Sequence, residues 1–146
     1  MRKDEFVIRG QTEHNATETL NFSGFKPGYA YRMVEFQLYP NTPSGVEAVL
    51  GSVTAGKTAV DPDNVDFNND GLIACALVAY SSSAFDGGIN ESVVNDTFLI
   101  TQNLILKVAS QGSAQPVNWQ CKFQPVKMSK AEEAVTNYKQ FLISDD

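Results

Sequence analysis

Reactive side chains are scarce in this sequence of 146 residues. It has one histidine, His14, together with two cysteines and one tryptophan. A zinc site needs three or four histidine or cysteine ligands, and a catalytic nucleophile needs an adjacent base. The residue types of the chain suggest no such constellation. We therefore expect a protein that is not an enzyme and that requires no cofactor.

Basic clusters and long apolar runs are missing as well. The net charge is −6, which argues against binding to a nucleic-acid backbone, because that binding needs clustered lysine and arginine. No apolar run approaches the roughly 18 residues of a membrane-spanning helix, and residues 1–9 lack the apolar stretch of a signal peptide. We expect neither nucleic acid nor a membrane as a partner.

The sequence is instead rich in uncharged polar residues and in apolar residues. Charged residues make up 19% of the chain, against a usual share of about 25%. Eleven asparagines and eight glutamines supply much of the remaining polarity, and 42% apolar residues can fill the core of one domain. A surface of amides and hydroxyls suits β-structure and contact surfaces better than a charged helical bundle.

Alternating and apolar segments separated by turn residues predict about eight β-strands. Residues 117–123 alternate without exception between apolar and polar, and residues 72–80 are apolar at nearly every position, which is typical of a buried central strand. The predicted strands cover residues 5–9, 19–25, 29–39, 46–53, 72–80, 93–101, 103–108 and 117–123. We therefore predict a mostly β protein, an antiparallel β-sandwich of the jelly-roll type.

The strand predicted over residues 29–39 carries large side chains on both faces. Strict alternation places Ala30, Val34, Phe36 and Leu38 on one face and Tyr31, Met33 and Tyr39 on the other. We expect this strand to be covered on both sides.

The end of the chain has a helical pattern. Ser129 and Glu132 form a capping box, and apolar residues then recur at helical spacing, which predicts an amphipathic helix over residues 130–142. We divide the chain into a β-sandwich domain, residues 1–128, and a C-terminal helix and tail, residues 129–146. The helix is expected to cover the domain's own sheet or to dock on a neighbouring subunit; the interface residues would be Ala134, Tyr138, Phe141 and Leu142.

Residues 51–58, GSVTAGKT, match the phosphate-binding pattern G-x-x-x-x-G-K-[ST]. A working phosphate loop leads directly into a helix, whose N-terminus binds the anion. After Thr58 the sequence continues instead with Ala59, Val60, Asp61 and Pro62, and the surrounding pattern is β. We interpret this segment as the end of a strand followed by a turn, with glycines on either side.

Residues 66–71, DFNNDG, match the start of a calcium-binding loop. Asp66, Asn68 and Asp70 would supply the first oxygen ligands, but position twelve is Leu77, where a bidentate carboxylate is required. The other interpretation is an Asx-rich turn that leads into the next strand. Calcium is therefore a candidate, but this loop supplies only half of the oxygen ligands that the ion needs.

The cysteines and aromatic residues also allow two interpretations each. Cys75 and Cys121 lie in predicted strands, and we expect buried free thiols, with a disulfide between them as the alternative.

Five aromatic residues lie near turns or strand ends, where they would pack on the core or form a platform for a sugar or a protein. These are Phe25, Tyr29, Tyr31, Tyr39 and Phe85.

Three strings of the sequence resemble small virion proteins of marine bacteriophages. They are ETLNFSGFKPGYAYRMVEFQLYP (residues 18–40), VNDTFLITQNLILKV (94–108) and NWQCKFQPVKMSKAEEA (118–134). The resemblance implies a structural protein of a virus particle, of the minor capsid or decoration type, with a β-sandwich body and many copies in symmetric contact. It assigns no role to any single residue.

Two functions follow from these observations. The first is a non-enzymatic virion structural protein, a capsid or capsid-associated component made in the host cytoplasm. It would form a homo-oligomer and pack against copies of itself and other capsid proteins. The alternative is a carbohydrate- or calcium-binding β-sandwich module that acts in adhesion.

Overall fold

The computed structural model describes residues 5–22, 28–42, 48–56, 58–80, 88–129 and 136. Between residues 5 and 129, the described part of the chain contains no helix. Its eight strands are β1 (Phe6–Thr12), β2 (Thr17–Leu20), β3 (Tyr29–Pro40), β4 (Ala48–Ala55), β5 (Leu72–Tyr80), β6 (Gly88–Val94), β7 (Leu104–Gln111) and β8 (Val117–Lys127). The predicted class, mostly β with antiparallel strands, is confirmed.

The strands form two sheets. One has three strands in the order β1-β8-β3, and the other has five in the order β2-β7-β4-β5-β6. All neighbours are antiparallel. Because β1 pairs with β8, β2 with β7 and β4 with β5, the chain is arranged as a long folded hairpin, which is the pattern of a jelly roll. β6 extends the larger sheet beside β5.

A β-bulge in β3 changes which residues of this strand face the core. The register with β8 moves from Met33 opposite Phe123 to Glu35 opposite Lys122, so that Val34 is an extra residue. One extra residue reverses the alternation that follows it. The residues buried on the inner face are therefore Tyr31 and Met33 before the bulge and Phe36, Leu38 and Pro40 after it, while Ala30 is buried on the opposite face. The prediction of strict alternation through this strand was wrong.

The strand predicted over residues 93–101 was also misplaced. β6 covers Gly88–Val94, and the chain turns directly after it. The Asn95 side chain accepts hydrogen bonds from the Thr97 backbone N–H at 3.3 Å and from the Thr97 hydroxyl at 2.8 Å. Such an Asx turn ends the strand, because the backbone N–H bonds to the asparagine side chain instead of to a neighbouring strand. In contrast, β5 has the predicted bounds.

The core lies between the inner faces of the two sheets. The inward residues of β8 are Val117, Trp119, Cys121 and Phe123, as the alternation predicts, and each is at most 4% exposed. The ring of Phe123 lies 4.8 Å from that of Phe22 and 5.7 Å from that of Phe6. The buried indole N–H of Trp119 donates to the Thr12 hydroxyl at 2.9 Å, so the polar atom of this large side chain is satisfied.

The segment that resembles a phosphate-binding loop is mostly strand. Gly51 lies in β4, on the inner face, where a Cβ atom would come within 3.1 Å of Phe36 Cζ and Leu38 Cδ2. Glycine at this position therefore allows the two sheets to pack closely. No helix follows in residues 58–71, so the dipole-backed anion site of a phosphate loop has no counterpart in this stretch.

Apart from Thr136, the residues of the predicted C-terminal helix lie outside the described part of the chain, and Ala134, Tyr138, Phe141 and Leu142 are among them. The division into residues 1–128 and 129–146 stays a prediction. Within the described residues, the structure holds no helix with the length and apolar character needed to cross a membrane.

Candidate functional site

The outer face of the three-stranded sheet carries two rows of polar side chains across its strands. The register places Arg9 opposite Gln120 and Gln120 opposite Gln37, and in the next row Gln11 opposite Asn118 and Asn118 opposite Tyr39. Side chains of directly opposite residues lie on the same face of a sheet. We call this set the polar face: Arg9, Gln11, Gln37, Tyr39, Asn118 and Gln120.

Hydrogen bonds within the polar face hold its side chains in place. The Arg9 guanidinium donates to Gln120 Oε1 through Nε at 2.9 Å and also through Nη2. Gln11 Nε2 donates to Asn118 Oδ1 at 3.0 Å and to Asn41 Oδ1 at 3.2 Å. Because both carbonyl oxygens of the β8 amides accept these bonds, the NH₂ groups of Asn118 and Gln120 are donors that can serve a ligand.

The polar face lines a depression of about 670 Å³, which is within the usual range of ligand pockets, about 300–1,000 Å³. Inward-facing Gly10, Leu38 and Trp119 complete its lining, and Asn90 of β6 contributes from the other sheet. A Cβ atom on Gly10 would lie only 2.8 Å from Trp119 Cζ2. The glycine therefore allows the indole ring to lie close beneath this part of β1.

The outer face of the five-stranded sheet is partly covered by the chain that follows β4. The hydroxyl of Ser52 donates to the carbonyl of Val60 at 2.5 Å, and the Val60 N–H donates to Thr54 Oγ1 at 3.1 Å. All three residues are buried. Gln111 Nε2 adds a bond to Asp63 Oδ1 at 3.2 Å. The Ser52 and Thr54 hydroxyls thus fix the covering segment.

At the far edge of this sheet, β6 is an exposed strand. Six of its seven residues are exposed, and Ile89 and Val93 are 54% and 50% exposed on one face. Val93 and Phe67, which is 68% exposed, line a smaller depression of about 210 Å³. We call Phe67, Ile89 and Val93 the apolar edge. Large apolar groups at an unpaired strand edge are typical of contact sites.

His14 has a structural hydrogen bond. Its Nδ1 accepts from the backbone N–H of Ser110 at 2.8 Å, and the Ser110 hydroxyl donates to the Ser113 carbonyl at 2.7 Å. The serine oxygen therefore does not face the imidazole as a nucleophile would face its base. His14 fixes the loop after β1 to β7.

The loop predicted to bind calcium is an Asx turn in the structure. Asp66 Oδ1 accepts from the Asn68 N–H at 2.9 Å, and Asn69 Oδ1 accepts from the Gly71 N–H at 2.9 Å. Asp66, Asn68 and Asp70 are all exposed. In the described part of the chain, no three histidine, cysteine or acidic side chains are grouped as a metal would need. Calcium binding at Asp66, Asn68 and Asp70 stays a prediction.

The two cysteines are free thiols in different sheets. Cys121 is fully buried on the inner face of β8, and Cys75 is partly buried in β5. Burial raises the pKa of both thiols, because the thiolate loses hydration. A low pKa and exposure are the signs of a reactive cysteine, and neither thiol has both.

Only part of the polar face was visible in the sequence. Tyr39 was a candidate platform residue, and it is 64% exposed. Tyr29 and Tyr31 pack against the core instead, while Phe25 and Phe85 lie outside the described residues. The alternation of β8 showed Asn118 and Gln120 on its polar side. Arg9, Gln11 and Gln37 were missed as site residues, since only the register brings them next to β8.

Comparisons with known proteins give structural similarities alone. No protein-family model matches the sequence, and no curated protein matches it. The solved structures with a similar arrangement include viral capsid proteins. For VP1 of Trichodysplasia spinulosa-associated polyomavirus, in complex with 3'-sialyllactose, the TM-score is 0.43 and the identity 5%, over 84% of this chain and 94% of that chain.

Two more similar structures represent a capsid protein and a carbohydrate-binding module. The unassembled VP1 pentamer of Merkel cell polyomavirus has a TM-score of 0.45 and 6% identity, over 88% of this chain and 97% of that chain. TmCBM61 in complex with beta-1,4-galactotriose has a TM-score of 0.35 and 11% identity, over 86% of this chain and 83% of that chain. The specific resemblance to marine bacteriophage proteins stays a prediction.

Proposed function

We propose that this chain is a non-enzymatic structural protein of a virus particle, a capsid or capsid-associated component that packs against copies of itself. The observation that carries the proposal is the apolar edge. β6 ends the five-stranded sheet. It contacts β3 of the other sheet, but in the described part of the chain no second strand is hydrogen-bonded to its outer backbone groups. A second strand placed there would satisfy these groups and bury Ile89 and Val93.

Symmetric pairing of two β6 strands makes specific contacts. With a two-fold axis at Glu91, antiparallel pairing would place Ile89 opposite the partner's Val93 on the same face. The same axis would bring Glu91 opposite the partner's Glu91, where like charges repel. Glu91 is the only charged residue of β6, so it limits uncontrolled pairing, as charges on natural edge strands do.

Sedimentation velocity of the whole chain over a range of concentrations tests this contact. We expect Val93→Lys to weaken self-association by at least about tenfold, because a charge replaces a buried apolar group. Glu91→Gln should strengthen it. The matched control is Val7→Lys, since Val7 is 44% exposed on β1, the edge strand of the other sheet. A chain that stays monomeric, or an equal effect of Val7→Lys, would contradict the proposal.

We also propose that the C-terminal segment contacts a neighbouring subunit through Ala134, Tyr138, Phe141 and Leu142. A terminal amphipathic helix can dock its apolar stripe on a partner. Deletion of residues 129–146 should abolish assembly or solubility. An unchanged oligomer after this deletion would remove the contact role of the segment.

The location in the virion and the contact with other capsid proteins rest on the sequence resemblance to bacteriophage virion proteins. In that case the chain is made in the host cytoplasm and then incorporated into particles. Labelling of purified particles with an antibody against this chain should show many regularly placed copies. Particles without the chain would refute this part of the proposal.

A further inference from the structure

We infer that the polar face is a binding site for a short segment of a neutral, hydroxyl-rich oligosaccharide. This function goes beyond subunit packing and uses a different surface. The polar face belongs to the three-stranded sheet, whereas the apolar edge belongs to the five-stranded sheet.

The polar face combines donors and acceptors as a sugar requires. Each hydroxyl of a sugar both donates and accepts a hydrogen bond, and each amide side chain offers both an oxygen and an NH₂ group. Four of the six side chains are amides: Gln11, Gln37, Asn118 and Gln120. The two rows are about 7 Å apart along the strands, so a ligand that lies across the sheet can contact both rows.

Tyr39 supplies an aromatic surface beside these amides. It is 64% exposed and lies directly opposite Asn118 in the second row. A tyrosine has an apolar ring and a polar hydroxyl. The ring can therefore stack against the C–H groups of a sugar ring while the neighbouring amides bind its hydroxyls. Asn90 lies at the same depression and adds a fifth amide from β6.

The charge of the polar face selects against other ligands. Arg9 is its only charged residue, and the guanidinium is hydrogen-bonded to Gln120. One cation on a chain of net charge −6 does not suit a nucleic-acid backbone, which needs several. The six residues include no carboxylate to bind a divalent cation.

The hydrogen bonds within the polar face prepare it for binding. The Arg9–Gln120 and Gln11–Asn118 bonds fix both β8 amides with their oxygens turned to these partners. A ligand then meets two NH₂ groups that are already oriented, which reduces the entropy lost on binding. The rigid strands beneath give the same advantage.

The test is binding of the whole chain to an array of short neutral oligosaccharides of glucose, galactose, mannose and N-acetylglucosamine, with sialylated versions of the same sugars beside them. Calorimetry with the strongest binder follows. We expect Tyr39→Ala and Gln120→Ala each to weaken binding by about tenfold or more. Tyr39→Phe should retain most of the affinity, because it keeps the stacking ring. These residues are on the surface, so the variants should fold, which thermal unfolding will verify.

A matched control separates the polar face from the rest of the surface. Gln124→Ala removes an exposed glutamine from the same strand, outside the depression. It should not change the affinity. No binding to any array member would overturn the inference, and so would binding that Tyr39→Ala and Gln120→Ala leave unchanged. Preference for sialylated sugars with a dominant loss in Arg9→Gln would overturn the assignment to a neutral ligand.

Discussion

The two sheets have similar inner faces but very different outer faces. Both inner faces are lined by buried apolar residues that meet in one core. On the outer side, the three-stranded sheet presents rows of amides linked by hydrogen bonds, whereas the five-stranded sheet is partly covered by the segment that Ser52 and Thr54 hold. Its remaining outer surface ends at the apolar edge.

This difference separates two kinds of recognition on one scaffold. An open row of fixed amides suits a small polar ligand, which replaces water on the polar face. An unpaired strand with large apolar groups suits a second protein strand. The two surfaces are centred on different sheets but adjoin at β6, where Asn90 lines the depression of the polar face. The stability of each region can still be probed by its own substitutions.

The largest expected difference between the sheets concerns the two thiols. Cys121 is 0% exposed in the core, so a thiol reagent should reach it only through global unfolding, which costs about 5–15 kcal/mol in a typical domain. Cys75 is only partly buried and should react at least about a hundredfold faster through local opening. Mass mapping of labelled peptides over time measures both rates in the native chain.

The pH dependence of labelling follows from the direction of the pKa shift. The thiolate is the reactive form, and burial raises the pKa of Cys75. At a given pH, a smaller fraction of Cys75 is therefore ionised than of a free thiol. Its labelling rate should still increase with pH at values where the labelling rate of an unfolded thiol no longer changes. In urea both cysteines should react alike. Equal native rates would show that the two sheets protect their thiols equally.

The second largest effect is expected in the shared core. Phe123→Ala removes a fully buried ring that contacts Phe22 and Phe6, and it should lower the free energy of unfolding by about 3–5 kcal/mol. Denaturant unfolding measures this loss. The neighbouring substitution Gln124→Ala, on the outer side of the same strand, should change stability by no more than about 0.5 kcal/mol. Similar losses for both would contradict the assignment of faces in β8.

The inner and outer residues of β8 could be predicted from the sequence because nothing interrupts their alternation. β3 could not be predicted in the same way. Its bulge at Val34 adds one residue that is itself apolar, so the sequence offers no signal for the reversal. Only the pairing with β8 shows that Tyr31 and Phe36 share the inner face, although they are five positions apart and strict alternation would place them on opposite faces.

The polar face shows the same limit for function. Alternation identified Asn118 and Gln120 as outward residues, and Tyr39 was visible as an aromatic residue near a strand end. Their convergence depends on which strands are neighbours and on the register between them. Those properties arise from packing of the whole chain, since β1 and β8 are more than a hundred residues apart in sequence.

A smaller effect is expected where the five-stranded sheet holds its covering segment. Thr54→Val removes the acceptor of the Val60 N–H, and a buried N–H without a partner costs about 1–3 kcal/mol. Denaturant unfolding should show this loss, and hydrogen exchange at Val60 should become faster. Thr19→Val is the control, because Thr19 is exposed on the same sheet, and its effect should stay within about 0.5 kcal/mol. Equal losses would indicate that the bond does not hold the segment.

The smallest expected effect is on the open sheet, next to the polar face. Lys122 Nζ lies 2.8 Å from Glu35 Oε2, and the two side chains are 23% and 44% exposed. Exposed ion pairs contribute about 0–1 kcal/mol, because water and salt screen the charges. A double-mutant cycle with Glu35→Gln and Lys122→Gln should give a coupling free energy in that range that decreases at high salt. A coupling well above it that persists in salt would mean that the outer face of the three-stranded sheet is covered, since only exclusion of water strengthens such a pair.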